Sequence, residues 1–218
     1  MPADYPPPPG NEPYWPAPVT VALAIGLQML LPGTVRAGPG WLLPSVEGAL
    51  LVVITVATPG DPLRIPHRAV LGLTGLVVAA NGASLVLLID GLLHHQFTTD
   101  AYGLTFAGLL IWVTNVLSFG LLYWEVDRGG RDVRAAGRDQ SPDFLFQQMT
   151  DDAQPLVAPH WRPTYVDYQY LSLTNCAAFS PTDTMPLTER AKVIMGVQSV
   201  IALLTLGVVI ARAVNALH

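Results

Sequence analysis

The chain has 218 residues, of which 51% are hydrophobic and only 12% charged, and its mean hydropathy is positive. That balance excludes an ordinary water-soluble protein, and no stretch is left over for a separate soluble domain. The net charge of -5 is small and dispersed and speaks against nucleic acid as a partner.

The one cysteine, Cys176, excludes an internal disulfide framework and any multi-cysteine metal site, and no cofactor is implied. The lipid bilayer is the partner that the composition names. No Lys or Arg precedes an apolar run near the start, so no cleavable signal peptide is expected and the first span serves as its own insertion signal.

Residues 1–18 form a Pro-rich tail, with Pro6 to Pro9 consecutive, expected to be extended or disordered. Residues 19–124 read as a four-helix transmembrane region. Its spans are Val19 to Leu31 with flanks, Trp41 to Ala57, Ala69 to Leu93 and Tyr102 to Trp124, separated by Pro and Gly signals such as Pro32-Gly33. Trp15 and Trp41 suit the headgroup zone.

Polar residues inside these spans are candidates for function, because a polar group in hydrocarbon is costly. Gln28 is the strongly polar member of the first span. Glu47 lies a third of the way along the second, where it either has a function, reaches the interface, or pairs with a neighbouring helix. Asn81 and Asn115 stand at matching depth in the third and fourth spans. A hydrogen bond between them is the favoured expectation, and a polar path lined by both is the alternative. Gly75, Ala79 and Ala83 make a small-residue stripe expected to let another helix approach. Asp90 and His94, with His95 adjacent, are read as an interfacial pair, since a metal site needs a ligand count missing here.

Residues 125–164 read as a cytoplasmic polar loop whose Phe144-Leu-Phe146 and Met149 are expected to rest on the membrane surface. With loops allotted alternately to the two sides, nine of the 11 basic residues fall on the side of this loop, leaving Arg36 and Arg212 on the other. That asymmetry predicts a cytoplasmic N-terminus in the cell membrane.

Residues 165–218 hold a polar stretch from Tyr165 to Pro186 and then a full span, Ala191 to Val214, with Gln198 inside it. Tyr165 to Asn175 predicts a helix about 16 Å long, half of a ~30 Å hydrocarbon core. Pro181 and Pro186 with Ser180, Thr182, Asp183 and Thr184 favour irregular backbone, which survives at membrane depth only where protein or water surrounds it. The expected fold is therefore an all-α integral membrane bundle of about five transmembrane helices, with a re-entrant loop before the last.

Tyr170-Leu-Ser-Leu-Thr174, Asp183 and Pro186 follow the order of the pore module of potassium-channel-like proteins, which this last quarter resembles. The filter segment Asn175-Cys-Ala-Ala-Phe-Ser-Pro-Thr182 lacks that family's glycines, so the resemblance does not imply potassium selectivity. The charge asymmetry makes the loop enter from the cytoplasm, as in the inverted glutamate-receptor relatives. The whole chain is similar to a group of bacterial multi-pass membrane proteins, a resemblance that names an architecture and no activity.

Three functions follow as expectations. In the first, a homo-oligomer conducts inorganic cations through a constriction of Thr174, Asn175, Cys176, Ser180, Thr182 and Asp183. In the second, the same stretch docks helices in a non-conducting structural or accessory protein. The third, an enzyme with Cys176 as nucleophile and His160 as base, lacks any local motif to orient the base and is set aside.

Overall fold

The computed structural model describes residues 12–36, 39, 41–57, 66–93, 101–138, 140–158, 161–178 and 183–215. Among these residues, seven α-helices and two short paired strands run in the order α1 (Pro16–Leu30), α2 (Leu42–Ala57), α3 (His67–Leu93), α4 (Ala101–Val126), α5 (Arg131–Ala135), β1 (Phe144–Phe146), α6 (Tyr165–Ala178), β2 (Thr184–Pro186) and α7 (Glu189–Asn215). Three of them, α3, α4 and α7, are long and apolar enough to cross a membrane. With 15 and 16 residues, α1 and α2 are about 22 and 24 Å long at ~1.5 Å per residue, shorter than a ~30 Å hydrocarbon core.

α4 is the centre, with α1, α3, α6 and α7 all packed on it. Antiparallel register with α3 is fixed where Asn81 Nδ2 donates to the Ile111 carbonyl at 3.1 Å. Two glycines set how closely the others come. A Cβ on Gly108 would meet Val209 of α7 at 2.4 Å, and one on Gly120 would meet Gln169 of α6 at 2.5 Å. The expected stripe of Gly75, Ala79 and Ala83 does none of this, and Gly75 has nothing within 4 Å of where a Cβ would stand. α3 instead turns inward the face of Leu73, Thr74, Val77, Asn81, Ser84 and Leu88, which is buried against the neighbouring helices.

The start of α6 adjoins the end of α4, where Trp124 and Tyr165 stack edge to face with centroids 5.6 Å apart. From there α6 runs inward along α4 until Cys176 is level with Asn115. β2 is back at the starting end, paired antiparallel with β1 in the register Phe144↔Pro186 and Phe146↔Thr184. The start of the 14-residue α6 and the strand β2 thus lie at the same end of the molecule.

The segment expected to lie on the membrane surface is instead core. Phe144 is fully buried and Phe146 nearly so, tilted or edge to face against Tyr123, Tyr168 and Trp161. Partly buried Met149 packs against the same cluster. What holds the segment inside is a pair of buried carboxylates. Asp127 accepts from the Asp143 amide at 2.7 Å, the Phe144 amide at 3.4 Å and the Tyr168 hydroxyl at 2.7 Å. Asp143 accepts from both Arg190 nitrogens at 2.5 and 2.6 Å, the Thr188 hydroxyl at 2.5 Å and the Arg128 amide at 3.2 Å.

This arrangement bends the backbone hard. Arg128 sits in the left-handed region at φ 55, which costs a side-chain-bearing residue about 1–2 kcal/mol, and Gly129 and Gly130 follow at φ 82 and 94. Glycine is required at the second, where a Cβ would lie 2.5 Å from His67. Arg134 then folds back to donate to the Trp124 and Asp127 carbonyls at 2.8 and 2.7 Å, supplying partners that the end of α4 lacks. Its other nitrogens grip Glu12 at 2.7 and 2.8 Å. Burial alone lowers the guanidinium's pKa, but the Glu12 carboxylate and the charges around it raise it on balance, so the guanidinium stays charged.

Replacing Asp127 with Ala strands the Tyr168 hydroxyl and the Asp143 amide, each a buried donor whose loss of partner costs about 1–3 kcal/mol. Tyr168→Phe removes only one such bond. Unfolding in detergent followed by tryptophan fluorescence is expected to place Asp127→Ala at least about 2 kcal/mol below the wild type and clearly below Tyr168→Phe.

Candidate functional site

α6 is amphipathic in an unusual sense, with one face polar and buried and the other apolar and exposed. Spaced three and four apart, Ser172, Asn175 and Cys176 share one face, and all three are at most 1% exposed. Val166, Tyr170 and Leu173 make up the opposite face and are exposed. The buried face meets Asn115 and Tyr123 of α4 and Gln198 and Ser199 of α7.

Gln198 sits at the centre of this cluster. Its amide nitrogen donates to the Ser172 hydroxyl at 2.6 Å, the Ser172 carbonyl at 3.2 Å and the Cys176 sulfur at 3.1 Å. Its carbonyl oxygen accepts from Asn175 at 2.8 Å and from the Tyr123 hydroxyl. Asn175 also donates to the Met195 carbonyl at 3.1 Å and accepts from Ser199 at 3.2 Å. Asn115 reaches Cys176 at 3.5 Å and the Gln198 carbonyl at 3.4 Å. Ser172 donates in turn to the Val116 carbonyl at 2.7 Å.

Polar groups of three helices are thereby closed on one another within a single chain. Chemically, the cluster can hold three helices in register. Cys176 has two amide donors aimed at its sulfur and is fully buried, which suits a structural thiol. Its proposed base, His160, lies outside the described residues.

The other residues expected at a constriction part company from these two. Thr174 is half-buried and donates back to the Leu171 carbonyl at 3.1 Å, as threonine does inside helices. Asp183 is exposed and directly precedes β2, at the end of the molecule where the chain came in rather than at mid-depth. It does not cap α7, whose first turn is capped by Thr188 through the Ala191 amide at 3.3 Å. Pro186 belongs to β2 and not to that first turn. Ser180 and Thr182 lie outside the described residues, as do His94 and His95.

Asn81 and Asn115 do not bond to each other. Each amide finds a different partner, and the oxygen of each is left without one. The physical reason is that a third partner competes: α6 and α7 offer Asn115 a sulfur and a carbonyl that a hairpin of α3 and α4 does not have. Glu47 is fully buried beside Gln28, and neither of its oxygens has a hydrogen-bond partner.

Sequence reading picked out Asn115, Asn175, Cys176 and Gln198 and missed Tyr123, Ser172 and Ser199. The spacing of Ser172, Asn175 and Cys176 carried the signal. It also missed the carboxylates Asp127 and Asp143, although the Asp127-Arg-Gly-Gly-Arg131 run at the end of an apolar stretch is a sign of a folded turn. No protein-family model, curated protein or solved structure matches the chain.

Gln198→Leu keeps the volume but leaves Asn175, Tyr123 and Ser172 short of partners, so a loss of about 2–5 kcal/mol is expected in detergent unfolding. Asn115→Leu combined with it is expected to lose clearly less than the sum, because the two share Cys176 and one network. The folded wild type is expected to resist a maleimide at Cys176, and the Gln198→Leu protein to react at least about tenfold faster through local opening.

Proposed function

We propose that the protein is a non-conducting structural or accessory membrane protein of the multi-pass type, in which α6 re-enters from the cytoplasmic side and acts as an internal strut between α4 and α7. The observation that carries this reading is the fate of Asn175 and Cys176. A pore would need them to face water along an axis, and they are instead bonded within their own chain. Polar irregular structure at membrane depth is stable when protein surrounds it, and that surrounding is supplied here by Asn115, Tyr123 and Gln198.

In this reading α3, α4 and α7 cross the cell membrane in full, and α1 and α2 cross with help from their flanks. Trp15 and Trp41, half or more exposed, would anchor those short helices at headgroup level, where local thinning accommodates the mismatch. The arginines near the Asp127 end set that end in the cytoplasm, along with the N-terminus. No catalysis is proposed, since a buried thiol held by amides has no activated nucleophile.

A second reading has one observation in its favour. The outer faces of α6 and α7, with Tyr170, Leu173, Val193, Val197 and Val200 exposed, are open to another copy, and Asp183 and Thr174 are not locked in the cluster. A homo-oligomer built on those faces would put Asp183 around an axis as a cation-attracting ring.

Two measurements separate these readings and their topology. Purified protein in planar bilayers is expected to pass no ion current under any gradient or voltage, and a cation current that falls in Asp183→Asn would replace the first reading by the second. In a Cys176→Ala background, Ser141→Cys is expected to be shielded from an impermeant thiol reagent added outside cells and Thr34→Cys to react. Both positions are exposed and lie toward opposite ends of the molecule. The reverse pattern would invert the orientation.

A further inference from the structure

Between α1, α2 and α3, near the end of the molecule opposite Asp127, lies a cavity of about 20 Å³ lined by Gln28, Leu31, Arg36, Leu43, Pro44 and Ser84 among others. A cavity of this size has room for one water, which needs ~10–15 Å³. Gln28 lines it with its side chain 4% exposed and its amide nitrogen without a hydrogen-bond partner. Glu47 lies three and four residues beyond Pro44 and Leu43, on the same face of α2 and one turn deeper, with Gln28 as polar neighbour. Both of its oxygens are buried and unpartnered.

An ionised carboxylate whose polar neighbour is a single amide, not at bonding distance, and whose oxygens meet no ion-pair partner is far more costly in apolar surroundings than the neutral acid. The ligands on offer narrow what can occupy the site. A metal ion needs several oxygens of fixed geometry, whereas here there is one carboxylate and one amide. Among the described residues there is also no group of three metal-binding side chains.

We infer that Glu47 is a proton-binding site, reached from the Arg36 end of the molecule through a single water held in this cavity by Gln28. Loading forms an O–H bond at a Glu47 oxygen and breaks one in the cavity water, which regains its proton from bulk water; release is the reverse. The charged and titratable groups on the surrounding elements are few. α1 and the rest of α2 carry none; the turn after α1 brings Arg36; and α3 has His67, Arg68 and Asp90, all within its terminal turns. His67 is engaged with Glu125 at 2.6 Å. Among the described residues, Arg36 is thus the one charged group lining the cavity. This site is independent of how α6 is used.

The test uses the full chain in proteoliposomes treated with dicyclohexylcarbodiimide, which adds to a protonated carboxyl in apolar surroundings to give an acylurea that mass spectrometry locates. Glu47 is expected to be the principal labelled acid, ahead of the paired Glu125, Asp127 and Asp143. Its labelling rate is expected to fall about tenfold per pH unit once the carboxyl ionises. Infrared spectra give a second readout that needs no reagent access: a protonated-carboxyl stretching band, shifted in deuterium oxide and missing in Glu47→Gln. Ser84→Leu, which fills the cavity with apolar atoms, is expected to slow that deuterium shift. Absence of the band from the wild type, or its persistence in Glu47→Gln, would overturn the proposal. So would labelling of Glu47 at a rate independent of pH. A deuterium shift as fast in Ser84→Leu as in the wild type would overturn the route through the cavity.

Discussion

The fold turns on one side-chain amide. A helix as polar as α6 can sit among apolar helices only if each donor and acceptor on its inner face is answered, since an unanswered buried group costs about 1–3 kcal/mol. Gln198 answers most of them at once: two donors for Ser172 and Cys176, one acceptor for Asn175 and Tyr123. Because those partners lie on α4 and α6 while Gln198 belongs to α7, the same bonds that make α6 tolerable also set the register of three helices. Leucine there would fill the space equally well and specify nothing. Directional bonds at mid-depth select one arrangement, where apolar packing alone admits sliding.

The second fixed point is at the end of the molecule. Asp127 and Asp143 have no exposed surface, yet between them they take up amides, hydroxyls and the Arg190 guanidinium, so that neither charge is left bare. Their effect is topological. They tie the end of α4 to β1, the first turn of α6 and the start of α7, so that α6 begins and β2 lies at the same end of the molecule. The left-handed turn at Arg128 is the local consequence, held because Asp143 accepts its amide. With the end and the middle both pinned, α6 has its depth determined from two sides.

Much of the helical plan was legible in the sequence. Apolar runs bounded by Pro and Gly report span positions directly, and the limits of α2, α3, α4, α6 and α7 agree with that reading to within a few residues. The short helix α6 was legible for the same reason, its 14 residues being too few to cross a ~30 Å core. Partner choice was not legible. Asn115 had a plausible mate in Asn81, and nothing local says that Cys176, 61 residues away, takes it instead. Phe144 and Phe146 read as surface anchors because their neighbours are charged. That those charges are themselves buried depends on Asp127 and Asp143 finding each other's loops across 16 residues, a non-local fact. The stripe of Gly75, Ala79 and Ala83 misled because small residues permit close approach without requiring it.

Hydropathy also conceals a division of labour between α4 and α7. Both are long apolar helices by composition, but α4 is surrounded by α1, α3, α6 and α7, whereas α7 keeps Val193, Val197, Val200, Leu203, Leu204 and Ile210 exposed. In water such a face would be a liability; in a bilayer it is what lipid contacts. The short α6 is responsible for the difference. By covering the Asp127-end half of α4 with a polar face and turning Val166, Tyr170 and Leu173 outward, it buries that part of α4 and offers an apolar surface in its place. Tyr123, Asn115 and Ser118 can then occupy a long apolar helix while staying buried. The polar residues of α4 and the amphipathic pattern of α6 are thus two sides of one constraint: each polar set is buried only because the other is there.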